Sequence, residues 1–193
     1  MGLAGTLIRL QNHKHMKNIV IILLAWMSIN QAGQDLYACK NATISLYSEA
    51  PIENISATTS SGTSVFNAAT GDLIFSVNVS SFKFPKSLMQ EHFNSDYMES
   101  DKFPKSTFKG KIQEHIDVTK NGTYPVTAVG ELEVHGVTQN RTIPGKISVN
   151  NGVITMTSEF MVKCADHHIE IPKLVFHNIA ESIKMNVTAV YSK

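Results

Sequence analysis

VTAVGELEVHGVTQNRTIPGKISVNNGVITMTSEFMVKC, running from Val126 to Cys164, contains three stretches in which apolar and polar residues alternate. In Val126–Val134, residues Val126, Ala128, Gly130, Leu132 and Val134 share one face, opposite Thr127, Val129, Glu131 and Glu133. In Arg141–Val149, Ile143, Gly145, Ile147 and Val149 stand against Thr142, Lys146 and Ser148. In Val153–Cys164, Ile154, Met156, Phe160, Val162 and Cys164 alternate with Thr155, Thr157, Glu159 and Lys163. A period of two with one wet and one dry face marks a β-strand. Asn150-Asn151-Gly152 between the last two is a strong hairpin signal and His135-Gly136 a weaker one.

The same period extends outward in both directions. Leu73, Phe75, Val77 and Val79 share a face in Asp72–Ser81, and Ile183, Met185, Val187, Ala189 and Tyr191 do so in Ile183–Tyr191. Shorter runs at Ala42–Ser48, Ile52–Ser60, Thr63–Phe66 and Thr107–Asp117 bring the count to about nine strands. Asn121-Gly122 is a second strong hairpin signal, and Thr70-Gly71-Asp72 a weaker one. Short connections favour an antiparallel meander. A sheet of this width must curl or split, and closure removes its exposed edges. One short helix interrupts the pattern at Pro85–Phe93, extending towards Tyr97. Pro85 is placed in its first turn, and Leu88, Met89 and Phe93 form a partial apolar stripe.

The 193-residue chain is long enough for one domain with a real core. The N-terminus reads as a secretory signal over residues 1–33. Basic His13–Lys17 precedes the apolar run Ile19–Met27 and the small polar stretch Ser28–Gly33. Met16 opens this pattern better than Met1, so residues 1–15 read as an upstream over-extension. The apolar run is too short to span a bilayer, which leaves no integral membrane segment. Removing residues 1–33 takes away three of the 17 basic residues and none of the 16 acidic ones, leaving a net charge of −2 on 34–193. That balance gives no footprint for nucleic acid.

An exported protein permits a disulfide between its two cysteines, Cys39 and Cys164. Pleat parity opposes it, since Cys39 falls on the face opposite Ala42, Ile44 and Leu46. Leu36–Cys39 has the form of an acylation signal, but a polar stretch separates it from the apolar run. Six N-x-S/T sequences start at Asn41, Asn54, Asn78, Asn121, Asn140 and Asn186; they read as solvent-facing strand positions.

The sequence has no G-x-S-x-G elbow, phosphate loop, C-x-x-C or H-E-x-x-H. Adjacent His167 and His168 point apart on a strand and read as a solvated turn rather than metal ligands. Glu91 and His92 are helix neighbours that do not face each other. Glu131 and Glu133 share a face, but it is the outer one. No catalytic residue, metal or cofactor is assigned. What remains is an apolar interior rich in Met and Phe, either a packed core or a cavity. An eight-stranded barrel is just wide enough to hold one small ligand.

Three further segments carry a resemblance. They are Met89–Asn94 with Tyr97–Ser100, Phe103–Ile112, and Gly130–Thr138 leading into the strand from Arg141. Ile169–Lys173 and Asn178–Ile183 fit the same pattern. In order and spacing the chain, over roughly residues 36–192, resembles the YceI-like family of secreted, lipocalin-like polyisoprenoid-binding proteins. The wording of the first two segments is similar to the branch found in Bacteroidetes-type bacteria.

The resemblance implies an all-β fold: an antiparallel eight-stranded lipocalin-like barrel with one short inserted helix, over residues 34–193. It implies a periplasmic or secreted location and leaves room for a homodimer. It also implies binding, sequestration or transport of a long-chain amphiphile, whether a polyisoprenoid, an isoprenoid quinone or a fatty-acid-like amide. A polyprenyl tail needs a dry tube, which flexible Met and Phe side chains suit. Strand parity then selects the contacts. They are Leu46, Phe75, Val77 and Val79 in the first half, and Phe108, Leu132, Val134 and Ile147 in the middle. Phe160, Val162, Met185 and Val187 follow near the end, and Met89, Phe93, Tyr97 and Met98 close one mouth. Two alternatives remain: an enzyme acting on a lipid held in the barrel, with His92, Tyr97 or His135 as acid or base, and a structural or interaction module of the cell envelope with a filled core.

Overall fold

Alternating residues become a closed wall in the computed structural model, which describes residues 35–49, 54–171 and 180–193. Eight antiparallel strands follow one another: β1 (Leu36–Ser48), β2 (Ile55–Asn67), β3 (Asp72–Asn78), β4 (Lys105–Ile112), β5 (Gly122–Val134), β6 (Val137–Asn150), β7 (Val153–Lys163) and β8 (Ser182–Tyr191). Each pairs with its neighbours in sequence, and β8 returns to β1 through Thr43↔Thr188 to Tyr47↔Lys184, closing the barrel. The signal segment 1–33, Ile52 and part of the Ile169–Ile183 pattern lie outside the described residues.

The periodicity count of about nine strands falls to eight because Ile52–Ser60 and Thr63–Phe66 are one strand, β2. Gly62 bends it without ending it. Opposite Ala42 the β1–β2 register shifts, and a Cβ on Gly62 would lie 2.9 Å from the Ala42 carbonyl oxygen. Only glycine allows the two backbones this close at a bulge.

That bulge also overturns the parity of Cys39. β1 begins at Leu36, and the extra residues around Lys40–Asn41 flip its faces. Cys39 therefore points inward beside Tyr37 and is 3% exposed. Both cysteines are buried and free. Acylation at Cys39 would remove Leu36–Ala38, which pair with Val65–Asn67.

Two turns exchange importance. Asn151 (φ 49°) and Gly152 (φ 81°) form the expected tight turn between β6 and β7. His135 (φ 53°) and Gly136 (φ 70°) make an equally tight one between β5 and β6. Asn121-Gly122 is not a hairpin turn. It ends the long β4–β5 connection, and the Asn121 side chain accepts from the Asn151 backbone N–H at 2.8 Å.

The helix α1 (Ser87–His92) is shorter than expected and continues as a π-helical turn over Phe93–Tyr97. Pro85 precedes its N-cap, Lys86, rather than sitting in the first turn. Leu88 does not join the stripe; it is 61% exposed. Val79, expected on the dry face of a strand running to Ser81, lies in a 3₁₀ turn, Val79–Ser81, and is still buried.

Candidate ligand cavity

The two ends of the barrel differ. At the end holding the β2–β3 and β6–β7 turns, the dry faces meet and fill the interior. Phe66, Ile147 and Ile154 are essentially inaccessible there. The ring of Phe66 lies edge-on to Tyr191 at 6.2 Å. The Tyr191 hydroxyl donates to Ser64 Oγ (2.7 Å), which in turn donates to the Ile74 carbonyl (2.8 Å). Burial raises the Tyr191 pKa far above that of a free phenol.

Towards the other end the barrel is hollow. A cavity of about 660 Å³ runs up from Leu73, Ile112, Ala128 and Met156 to the segment between β3 and β4. That volume falls within the roughly 300–1,000 Å³ of small-molecule sites. Most of its wall is aliphatic or aromatic.

The segment following β3 builds the cover. The ring of Phe93 packs against Phe82 at 5.8 Å and Phe84 at 4.9 Å. Gln90 ties α1 to this strip: its Nε2 donates to the Phe82 carbonyl at 2.6 Å, and its Oε1 accepts from the Phe84 N–H at 3.3 Å. Lys83 bridges to Thr58, anchoring the strip on β2. The cover is a short aromatic clamp held by Gln90 and by the Lys83–Thr58 bridge.

Fifteen of the sixteen residues selected from sequence line the cavity. Leu46 does so from β1, Phe75 and Val77 from β3, and Val79 from the turn that follows. Phe108 contributes from β4, Leu132 and Val134 from β5, Phe160 and Val162 from β7, and Met185 and Val187 from β8. Met89, Phe93, Tyr97 and Met98 line the cover. Ile147 is the exception. Its parity is right but its height is wrong: it lies fully buried in the filled half.

Strand parity missed Phe82 and Phe84, whose alternation in Ser81-Phe82-Lys83-Phe84 continues the period of two beyond β3. Ile169 and Ile171 were also missed, although they alternate with Glu170.

The polar groups sit at the margins. His92 Nδ1 meets Asp96 Oδ2 at 2.5 Å, with both side chains about half exposed. Hydrogen bonds from Ser95 and His92 hold the Asp96 carboxyl below the usual range, and burial raises the Tyr97 phenol. Cys164 reaches the wall from the 3₁₀ turn Cys164–His167, and burial raises its thiol pKa, which disfavours the reactive thiolate.

His135 does not line the cavity. Its Nε2 faces Glu99 Oε2 at 2.9 Å and its Nδ1 faces the His167 carbonyl at 3.1 Å. The hydrogen bond from His135 is the main reason the Glu99 carboxyl titrates below its ordinary value. His167 corrects the solvated-turn expectation, being fully buried. Its Nδ1–H donates to the Val137 carbonyl at 3.0 Å, while Nε2 has no hydrogen-bond partner among the described residues. Burial lowers its pKa. These two histidines fasten the β5–β6 turn to the end of β7. Among the described residues no cluster could hold a metal ion, and no helix is long and apolar enough to cross a membrane.

No curated protein matches the chain. Solved structures do. BcnA from Burkholderia cenocepacia superposes with a TM-score of 0.67 at 15% identity, over 78% of this chain and 96% of its own. A polyisoprenoid binding domain from Saccharophagus degradans, implicated in plant cell wall breakdown, gives 0.69 at 11% identity over 82% and 98%. The Campylobacter jejuni YCEI protein gives 0.59 at 17% identity over 75% and 89%. At these identities the likeness is one of fold. The family model of the YceI-like domain matches residues 39–191, nearly the whole barrel. The chain belongs to the YceI-like domain family.

Proposed function

We propose that this protein binds a long-chain amphiphilic lipid in the hollow half of the barrel, for sequestration or transport rather than for chemistry. One observation carries the reading: a cavity of about 660 Å³ with an apolar wall, inside a barrel that is well packed only at its other end. A core meant only for stability has no reason to stay empty, since native interiors are close-packed. The likeness in fold to a polyisoprenoid binding domain supports a polyisoprenoid, with an isoprenoid quinone or a fatty-acid-like amide as the alternative long-chain amphiphiles. The signal-like residues 1–33 support a periplasmic or secreted site of action.

A non-enzymatic role is supported by the engagement of two of the three candidate acid–base groups, His135 and His92; the third, Tyr97, lines the cavity with its phenol pushed up by burial. His135 lies off the cavity with both ring nitrogens facing structural partners. His92 is held by Asp96 at the rim. The test is a titration of delipidated protein with a fluorescent polyprenyl probe, followed by recovery of the probe. Saturable binding at one site, with the probe recovered unchanged, is the expected result. Absence of binding, or chemical conversion of the probe, would refute it.

A further inference from the structure

The wall of the hollow half is not continuous. β5 and β6 are paired along their whole length, from Gly122↔Val149 to Val134↔Val137. β6 and β7 are paired only from Asn150↔Val153 up to Lys146↔Thr157. Beyond that point the ladder stops, although both strands continue, to Val137 and Lys163.

Pro144 explains where it stops. The N–H and C=O of a strand residue point to the same side. The Pro144 carbonyl faces β7, accepting from Ser158 Oγ at 2.6 Å, so the missing N–H of Pro144 is also on that side. Just below, Gly145 lets β6 press onto β7; a Cβ there would lie 2.9 Å from the Thr157 carbonyl oxygen. Above, side chains replace the ladder. Arg141 donates to the Met161 carbonyl at 2.5 Å and Gln139 to the Asp166 carbonyl at 2.8 Å.

The cavity reaches this seam. Pro144, Lys146 and Thr157 are exposed, outward-facing residues, yet they border the same cavity as the inward-facing Ile143 and Met156. Outward-parity residues of the paired β3–β4 wall, Ser76 and Thr107, border the cavity too; the β6–β7 edge differs from that wall in that its ladder has ended while both strands continue. The outer lip carries Lys146, which forms no ion pair among the described residues.

We propose that the β6–β7 seam is a side opening of the cavity, through which the polar end of a bound chain amphiphile reaches solvent beside Lys146. Its apolar tail lies inside, between the filled half and the aromatic cover. This rests on the lipid-binding reading and adds an orientation to it. The seam suits an extended chain with a small polar end, because the ties at Ser158–Pro144 and Arg141–Met161 bound it closely on two sides.

The test uses two single-site fluorescent labels, at Thr157→Cys beside the seam and at Leu88→Cys on the cover; both positions are exposed. The unsubstituted protein reports any labelling of buried Cys39 and Cys164. The probe is a long-chain fatty acid carrying a nitroxide quencher either next to its carboxylate or next to its methyl end. The carboxylate-end quencher should cause the larger loss of fluorescence at position 157, with a smaller loss at position 88. Equal quenching at the two positions, or stronger quenching at 88, would overturn the inference while leaving lipid binding intact. A protein that takes up neither probe would overturn both. Should Thr157→Cys fail to fold, the same label at Glu159→Cys, at the next exposed outward position of β7, reads the same lip.

Discussion

The filled and hollow halves of this barrel are built from the same strands with the same alternation. They differ in what meets at the axis. In the filled half Phe66, Ile147, Ile154 and Tyr191 interlock, and Ser64 satisfies the buried Tyr191 hydroxyl. In the hollow half the side chains line a space and an aromatic strip roofs it. One half supplies the rigidity that lets the other remain open. Stability and binding should therefore separate along the barrel axis.

The largest expected effect breaks the filled half. Phe66→Ala removes a ring with nowhere for the surroundings to collapse, and should cost about 3–5 kcal/mol in a denaturant titration. Phe75→Ala, on the cavity wall, adds to a space already present, so it should cost less than half as much. Equal costs would mean that the two halves are packed alike.

The reverse substitution sharpens the contrast. Val187→Trp places an indole in the cavity and should weaken chain binding at least about tenfold, or ~1.4 kcal/mol, with little change in the unfolding midpoint. Unchanged binding would move the ligand out of the barrel. Next in size is Tyr191→Phe. It removes the donor to Ser64 Oγ and should cost about 1 kcal/mol of stability without altering binding measured in parallel.

The smallest effect is on pH dependence at the hollow end. Burial lowers the folded-state pKa of His167 below that of the unfolded chain, about 6.5. Between those two values the unfolded chain binds more protons, so stability rises with pH across that window and levels off above about 6.5. Thermal melting from mildly acidic to neutral pH should show the slope, and His167→Gln should flatten it.

Most of the barrel was legible in the sequence because parity is a local property. Leu132 and Val134 face inward whatever the rest of the chain does, given that the strand is there. Height along the axis is not local. Nothing near Ile147 distinguishes it from Leu132, and only the closed register places one below the cavity floor and the other on its wall. The bulge at Ala42–Gly62 was illegible for a similar reason. Ser61-Gly62 reads as a break until the partner strand shows that both backbones need the glycine. The seam between β6 and β7 depends on Pro144, visible in the sequence, but also on which neighbour its missing N–H faces.

The central claim is that the hollow half holds a single chain. Native mass spectrometry of the purified protein, incubated with a bacterial membrane lipid extract and then solvent-extracted, tests it most directly. One lipid per barrel is expected, released intact as a long-chain amphiphile and at lower occupancy in the Val187→Trp variant. A wild-type protein that stays empty, or an adduct that Val187→Trp retains unchanged, would contradict it.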